Sequence, residues 1–442
     1  MLFKKIGTLL SLCLFAMGLS AQTNIDFTKY TLDNGLKVIL HQDATAPIVA
    51  VSIMYEVGGK DSFEGRTGFA HFFEHLLFEG SKNIKRGEYA KYVEDAGGVL
   101  NANTSQDRTY YYEILPSNKL ELGLWLESER LLHAVVDQKG VETQRSVVKE
   151  ERRQRMDNQP YGNLQYELFK RGFKEHPYKD PNIGYMEDLN GAQEADYKRF
   201  YETYYVPNNA ILSIAGDLDI DQTKALVKKY FSSIPRGQEV PRVTIVEPEL
   251  VAEIRDTVYD AKAPLPALVM GYRTPALTHP DYYAISMLNQ VMSQGQSSRL
   301  NKVLVDEKQV AVQAGSFPSG SQNPGISIAF AILKPGGDLG KAQMFFDQEV
   351  EKMQTDLISE KEFQKLRNQV ESDAISGYST MAGIAESLAN YEMYQGDADL
   401  INTEMKRSMA VTREDIRRVA KQYYSENNRV LLYWMPGEKP SK

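Results

Sequence analysis

The stretch RFYETYYVPNNAILSIAGDLD, residues 199–219, aligns without gaps on RVAKQYYSENNRVLLYWMPGE, residues 418–438. Tyr204, Tyr205, Asn208, Asn209 and Leu212 recur as Tyr423, Tyr424, Asn427, Asn428 and Leu431, an offset of 219. A single match of this kind arises from any two helix–turn–strand junctions. A second match, APIVAVSIMY at 46–55 with APLPALVMGY at 263–272, falls at an offset of 217. Two matches at nearly one offset argue for a duplication. The chain has 442 residues, more than one core usually organises, so division into halves also agrees with length. The Pro-, Glu- and Val-rich stretch 235–250 reads as an extended linker. The expected parts are a signal peptide at 1–21, a first domain at 22–234, the linker at 235–250 and a second homologous domain at 251–442.

Within the first half, YTLDNGLKVIL (30–40) signals a hairpin, with Asn34-Gly35 as the turn. APIVAVSIMYEVGG reads as a strand, and LNANTSQDRTYYYEIL (100–115) as two strands about a polar turn. Helical periodicity follows in SNKLELGLWLESERLLHAV (117–135) and in VETQRSVVKEERRQRM (141–156). Hairpins interleaved with helices predict an α+β fold: two duplicated domains, each an antiparallel sheet covered by helices. The chain holds neither G-x-G-x-x-G nor a P-loop, so nucleotide binding is not expected.

Composition narrows the function. The residues are 42% hydrophobic and 25% charged, with a formal charge of −8, and KEERRQR (149–155) mixes signs as a solvated helix does. No basic block points to nucleic acid. The opening MLFKKIGTLLSLCLFAMGLSAQ places Lys4 and Lys5 before an apolar run too short to span a bilayer, followed by small residues near Ala21. It reads as a secretory signal, so the protein is expected to be exported, to the periplasm or beyond the cell. Cys13 is the only cysteine, inside that run. An acyl anchor there would leave a very short apolar stretch before it, so no membrane anchor is expected. The mature chain then lacks cysteine, and any metal has to be held by His and carboxylate.

The segment GFAHFFEHLLFEG (68–80) supplies such residues. His71 and His75 are i and i+4, so a helix sets both imidazoles on one face, with Glu74 beside them. Two neutral imidazoles and a carboxylate suit Zn²⁺. If the histidines are two ligands, Glu74 serves better as the general base that takes a proton from water, and a third ligand is needed. The helix QRSVVKEERRQR offers Glu150 and Glu151, which point about 100° apart, so only one can face the metal. Glu151 shares its face with Gln144, Val147 and Val148, the more apolar side expected to point inward, and is the better candidate.

With these residues in hand, the chain resembles the inverzincins of the insulinase and pitrilysin family, especially the short members similar to mitochondrial processing peptidase. The resemblance runs through GFAHFFEHLLFEGS, GGVLNANTSQDRTYYY, VVKEERRQRMDNQP, HPYKDPNIG and YYVPNNAILSIAGD, in the family's order. It implies that His71, His75 and Glu151 bind zinc and that Glu74 activates water. It also implies that Asn101 and Ala102 lie on an edge strand against which a peptide pairs.

The chain departs from the family pattern at two places. Gln144 stands where a glutamate often precedes the third ligand by seven residues, so support around the metal is expected to differ. In SSRLNKVLVDEKQVAVQ, Val305 and Val312 stand where the family carries an arginine and a tyrosine that bind the substrate carbonyl. Valine cannot do this. The resemblance therefore implies a related partner subunit that carries the arginine and tyrosine. The expected activity is that of an exported zinc endopeptidase acting on peptides or unfolded segments. The alternative is a non-catalytic assembly subunit with a structural metal site, which the free carboxylate of Glu74 beside the ligands disfavours.

Overall fold

The computed structural model describes residues 24–439, so the expected signal segment and Cys13 lie outside the described residues. The apolar and alternating runs form two sheets. The first contains β1 (Thr28–Thr31), β2 (Lys37–Gln42), β3 (Ile48–Tyr55), β4 (Val99–Thr104), β5 (Thr109–Pro116) and β6 (Ala210–Gly216), in the order β1-β2-β6-β3-β5-β4. The second contains β7 (Ile254–Asp260), β8 (Ala267–Thr274), β9 (Ala311–Pro318), β10 (Gly325–Leu333) and β11 (Arg429–Pro436), in the order β7-β11-β8-β10-β9. Leaving out β1, the strands of the two sheets correspond one to one. The duplication read from the repeat is therefore present in the topology.

The repeated Asn-Asn has one task in both halves. Asn209 Nδ2 donates to Tyr204 O at 2.8 Å and to Glu56 O at 3.2 Å. Asn428 Nδ2 donates likewise to Tyr423 O at 2.6 Å and to Arg273 O at 2.9 Å. Each amide ties the end of a helix to the neighbouring strand just where the half's last strand begins.

The sheets are not purely antiparallel as expected. β6 runs parallel to β2 and β11 parallel to β7, while the remaining pairs are antiparallel. The reason is the connection: each last strand returns after the helical layer, by a crossover, and inserts between the first two strands of the repeat.

β3 is apolar on both faces, and each face has its own cover. Val49, Val51, Ile53 and Tyr55 point into a core with helices of the first half. Ala50 and Met54 point the other way, against Ile384, Ala385, Leu388 and Ala389 of the helix Met381–Gln395 from the second half. The exchange is reciprocal. The helix Leu164–Gly172 of the first half places Leu168 and Phe169 on Val269, Ile326, Ile328 and Val430 of the second sheet. Glu392 of the exchanged helix is buried and pairs with Lys29 at 2.8 Å and Lys37 at 2.9 Å. Residues 235–253, which join the sheets, carry neither helix nor strand. They are nevertheless tied down, because Glu247 accepts the backbone N–H of Lys174, Glu175 and His176 at 2.7, 2.9 and 2.7 Å.

Beneath the first sheet's helices lies a buried charged group. Arg130, on the helix Leu120–His133, donates from Nε to Glu127 at 2.9 Å, from Nη2 to Glu113 at 3.3 Å and from Nη1 to Leu77 O at 3.0 Å. Its guanidinium is flanked by the rings of Phe78, Tyr89 and Tyr111, 4.2–4.6 Å from their centroids. Burial pushes the Glu113 carboxyl well above its usual range, and the charge of Glu127 adds to this against the pull of Arg130.

Arg130→Met leaves Glu127 buried without its cation and should destabilise the protein by about 3–5 kcal/mol in a urea titration. Part of that loss should return in the Arg130→Met/Glu127→Gln double variant. Leu388 is 0% exposed between the exchanged helix and the first sheet. Leu388→Ala should cost about 2–5 kcal/mol, and fluorescence and circular dichroism should still report one shared transition because each half covers the other.

Candidate metal centre

GFAHFFEHLLFEG folds as the helix Phe69–Leu76, and its sequence explains its placement. Phe69, Phe72, Phe73 and Leu76 enter the core, and Phe69 stacks on Tyr197 with centroids 4.4 Å apart. At the N-terminus Gly68 has φ +83°, and a Cβ there would lie 2.5 Å from Ile183 O and 2.7 Å from Gly184 Cα. Only glycine permits this approach. Thr67 is held by Asp188 through both its N–H (3.0 Å) and its hydroxyl (2.6 Å). At the other end Tyr111 OH donates to Phe73 O at 2.9 Å, and Arg130 satisfies Leu77 O. A helix of eight residues is thus fixed at both ends.

On its remaining face His71 is buried and His75 half-buried, with ring centroids 5.0 Å apart. Glu151 comes from the helix Gln138–Arg152. Its Oε2 lies 3.0 Å from His75 Nε2 and 3.5 Å from His71 Nε2. One ligand atom from each of the three residues falls within 4.8 Å of the others. Oε2 is buried yet has no hydrogen-bond partner, so the contacts are not aligned as hydrogen bonds. Three donor atoms converging in this way, with their lone pairs unmatched, fit a divalent cation with N and O ligands. Burial alone would raise the Glu151 carboxyl, but the nearness and charge of His71 and His75 outweigh it and hold the group well below its usual range. Glu150 is exposed and pairs with Arg153 at 3.2 Å, away from this cluster.

The face that carries Glu151 points inward as expected at Val148, Gln144 and Glu151, and departs from that at Val147. Val148 is fully buried, but Val147 is 45% exposed and lines a cleft with Glu151. The helix therefore forms a wall, with apolar groups on either side of its polar stripe. Arg155 reaches back to Glu151 Oε1 at 2.7 Å, and Arg152 Nη1 donates to Gly184 O at 2.5 Å. This last contact ties Glu151's helix to the same glycine that abuts Gly68. Gln144 serves neither histidine: its amide donates to Glu79 at 2.5 Å. His71 Nδ1 is buried without a partner, so no carboxylate orients that ring.

The cleft has a volume of about 1190 Å³ and also contains Glu74, Asn101 and Ala102. β4 is the edge of its sheet, with Asn101 exposed and Ala102 half-buried. Asn101 Oδ1 accepts the N–H of Ala102 at 2.9 Å, which caps one edge donor. Two residues that contact Glu74 or Glu151 escaped the sequence reading. Thr104 Oγ1 donates to Glu74 Oε2 at 2.6 Å, and strand alternation alone would have put Thr104 on the side of Ala102. Arg155 gave no sequence signal.

The second half contributes Ser319, Gly320 and Ser321 of the β9–β10 turn to the cleft, with Asn390 and Tyr394 of the exchanged helix. Val305 is half-buried against the second core and Val312 is 51% exposed on β9; neither lines the cleft. The helix Asp281–Ser293 buries Leu288 and Met292 and holds no histidine.

Residues 37–184 match the family model described as insulinase (peptidase family M16), and residues 192–370 match the one described as peptidase M16 inactive domain. The chain is 30% identical over 439 residues to the zinc protease PqqE of Helicobacter pylori, covering 98% of this chain and 99% of that one. It is 23% identical over 414 residues to the uncharacterised zinc protease YmxG of Bacillus subtilis, covering 93% of this chain and 99% of that one. Among solved structures, a protease from Helicobacter pylori superposes with a TM-score of 0.89 at 30% identity, over 93% of this chain and 100% of that one. Pitrilysin shares the fold, with a TM-score of 0.76 at 20% identity over 96% of this chain and 46% of that one. Named zinc proteases thus align along nearly the whole sequence, and the two family models match residues 37–184 and 192–370 in succession: this chain belongs to the insulinase, or M16, family of peptidases.

Proposed function

We propose that this chain is the zinc-binding subunit of an exported endopeptidase that hydrolyses peptides or unfolded segments. The observation that carries the reading is the convergence of His71, His75 and Glu151 within 4.8 Å, beside Glu74, in a cleft bordered by an edge strand. A zinc ion held by the three residues supplies Lewis acidity toward water and the scissile carbonyl. Glu74 takes the proton of the attacking water as the carbon–oxygen bond forms, and returns it to the leaving nitrogen as the carbon–nitrogen bond breaks. The substrate lies extended along β4, where Asn101 and Ala102 hold its backbone. Its export rests on the signal-like opening; among the described residues no helix is long and apolar enough to cross a membrane.

The alternative of a non-catalytic assembly subunit would need only the three ligands. Glu74 faces the same cleft and, among the described residues, forms no ion pair, which favours catalysis. A related second subunit belongs to the proposal because Val305 and Val312 lack polar groups and lie away from the cleft. That subunit supplies the arginine and tyrosine that hold the substrate carbonyl.

Glu74→Gln should lower kcat by roughly 10²–10⁴-fold while zinc content by elemental analysis stays at one per chain. Glu151→Gln should lower zinc affinity in a competition titration, and Glu150→Gln should leave it unchanged. Metal loss in Glu74→Gln, or equal losses at 150 and 151, would remove these assignments. The zinc-loaded chain alone should cleave an unfolded peptide slowly and gain activity when the partner from the same exporting cell is added. Full activity without any partner would defeat the two-subunit reading.

A further inference from the structure

We infer that Thr104 is a positioning residue for Glu74, so that the strand receiving the substrate also aims the base; this rests on the assignment of Glu74 proposed above. Thr104 Oγ1 lies 2.6 Å from Glu74 Oε2. An ionised carboxylate only accepts, so the hydroxyl donates. Among the described residues Thr104 is the one side chain that donates to Glu74. The terminal torsion of a glutamate is broad and nearly two-fold, so helix geometry alone leaves the carboxylate plane free to turn. One hydrogen bond to Oε2 fixes that plane and leaves Oε1 to receive the proton from water.

The hydroxyl is itself presented by a rigid backbone. Thr104 pairs with Thr109 on β5, and its carbonyl accepts from Asn182 Nδ2 at 2.8 Å. In the following turn Ser105 Oγ accepts the N–H of Asp107 and of Arg108, both at 3.1 Å. Asp107 is buried and receives Lys60 Nζ at 2.8 Å, Tyr178 OH at 2.5 Å and the N–H of Gln322 at 3.0 Å. Gln322 belongs to the β9–β10 turn of the second half. The metal-free half thus props the turn that ends β4 without reaching Glu74. A peptide added to the edge at Asn101 and Ala102 lies on the same strand, two residues from the hydroxyl. Substrate pairing and base orientation therefore share one element.

The test compares the mature, zinc-loaded wild-type chain, together with any subunit that co-purifies from the exporting cell, with Thr104→Val, Thr104→Ser and Glu74→Gln. Thr104→Val keeps the shape and removes the donor; it should lower kcat by roughly 10–100-fold, with KM and zinc content unchanged. Thr104→Ser restores the donor and should recover most of the rate. Crystal structures give a readout apart from turnover: Glu74 should hold one carboxylate orientation in the wild type and Thr104→Ser and lose it in Thr104→Val. An unchanged Glu74 orientation in Thr104→Val, a loss shared with zinc content or KM, or a serine variant as impaired as the valine would overturn the inference. Activity retained by Glu74→Gln would instead overturn the base assignment, whereas an inactive Glu74→Gln beside a fully active Thr104→Val would sink this inference alone.

Discussion

The position of the eight-residue helix Phe69–Leu76 is the constraint on which the rest of the structure depends. Two turns of helix are too short to be stable by themselves, so the direction of His71 and His75 comes from what grips the ends. Gly68 against Gly184 fixes one end, and Arg130 on Leu77 O with Tyr111 on Phe73 O fixes the other. The guanidinium is buried with Glu113 and Glu127 and between three rings, where moving it would strand charges in a low dielectric. The cost of that displacement is what keeps the two imidazoles in register with a carboxylate on another element.

The helices exchanged between the halves give the second sheet a role although it carries none of the three ligands. Each sheet is apolar on both faces, and each half supplies helices enough for one face of its own sheet. Met381–Gln395 and Leu164–Gly172 close the remaining faces reciprocally. The small residues Ala50 and Ala215 opposite Ala385 and Ala389 allow the close approach. The cleft is then bounded by both halves as a consequence of how the cores are closed, with the β9–β10 turn seated beside Asp107.

At the cleft, β4 leaves a sheet edge open, and its sequence limits the aggregation that an open edge invites. β4 is six residues long, alternates exposed with half-buried positions, and uses Asn101 to occupy its own neighbour's N–H. On the proposed reading, a docking peptide would displace that side chain. Its exposure and polarity make this inexpensive compared with breaking a buried bond.

The sequence by itself determined the duplication, the hairpin at Asn34-Gly35 and the shared face of His71 and His75, because these follow from offsets and periods carried within short segments. It also marked Glu151 over Glu150, since adjacent helix positions point about 100° apart and Glu151 is the one that shares a face with Val148. It misjudged only Val147 on that face, which is 45% exposed, because an apolar side chain looks the same whether it meets a core or borders a cleft. The parallel pairs β2–β6 and β7–β11, the diversion of Gln144 to Glu79 and the meeting of Thr104 with Glu74 were decided only by the tertiary structure. Periodicity fixes where a side chain points on its own element. Which element stands opposite depends on contacts between residues far apart in the chain, and here those contacts were set by crossover strands and by helices lent from one half to the other.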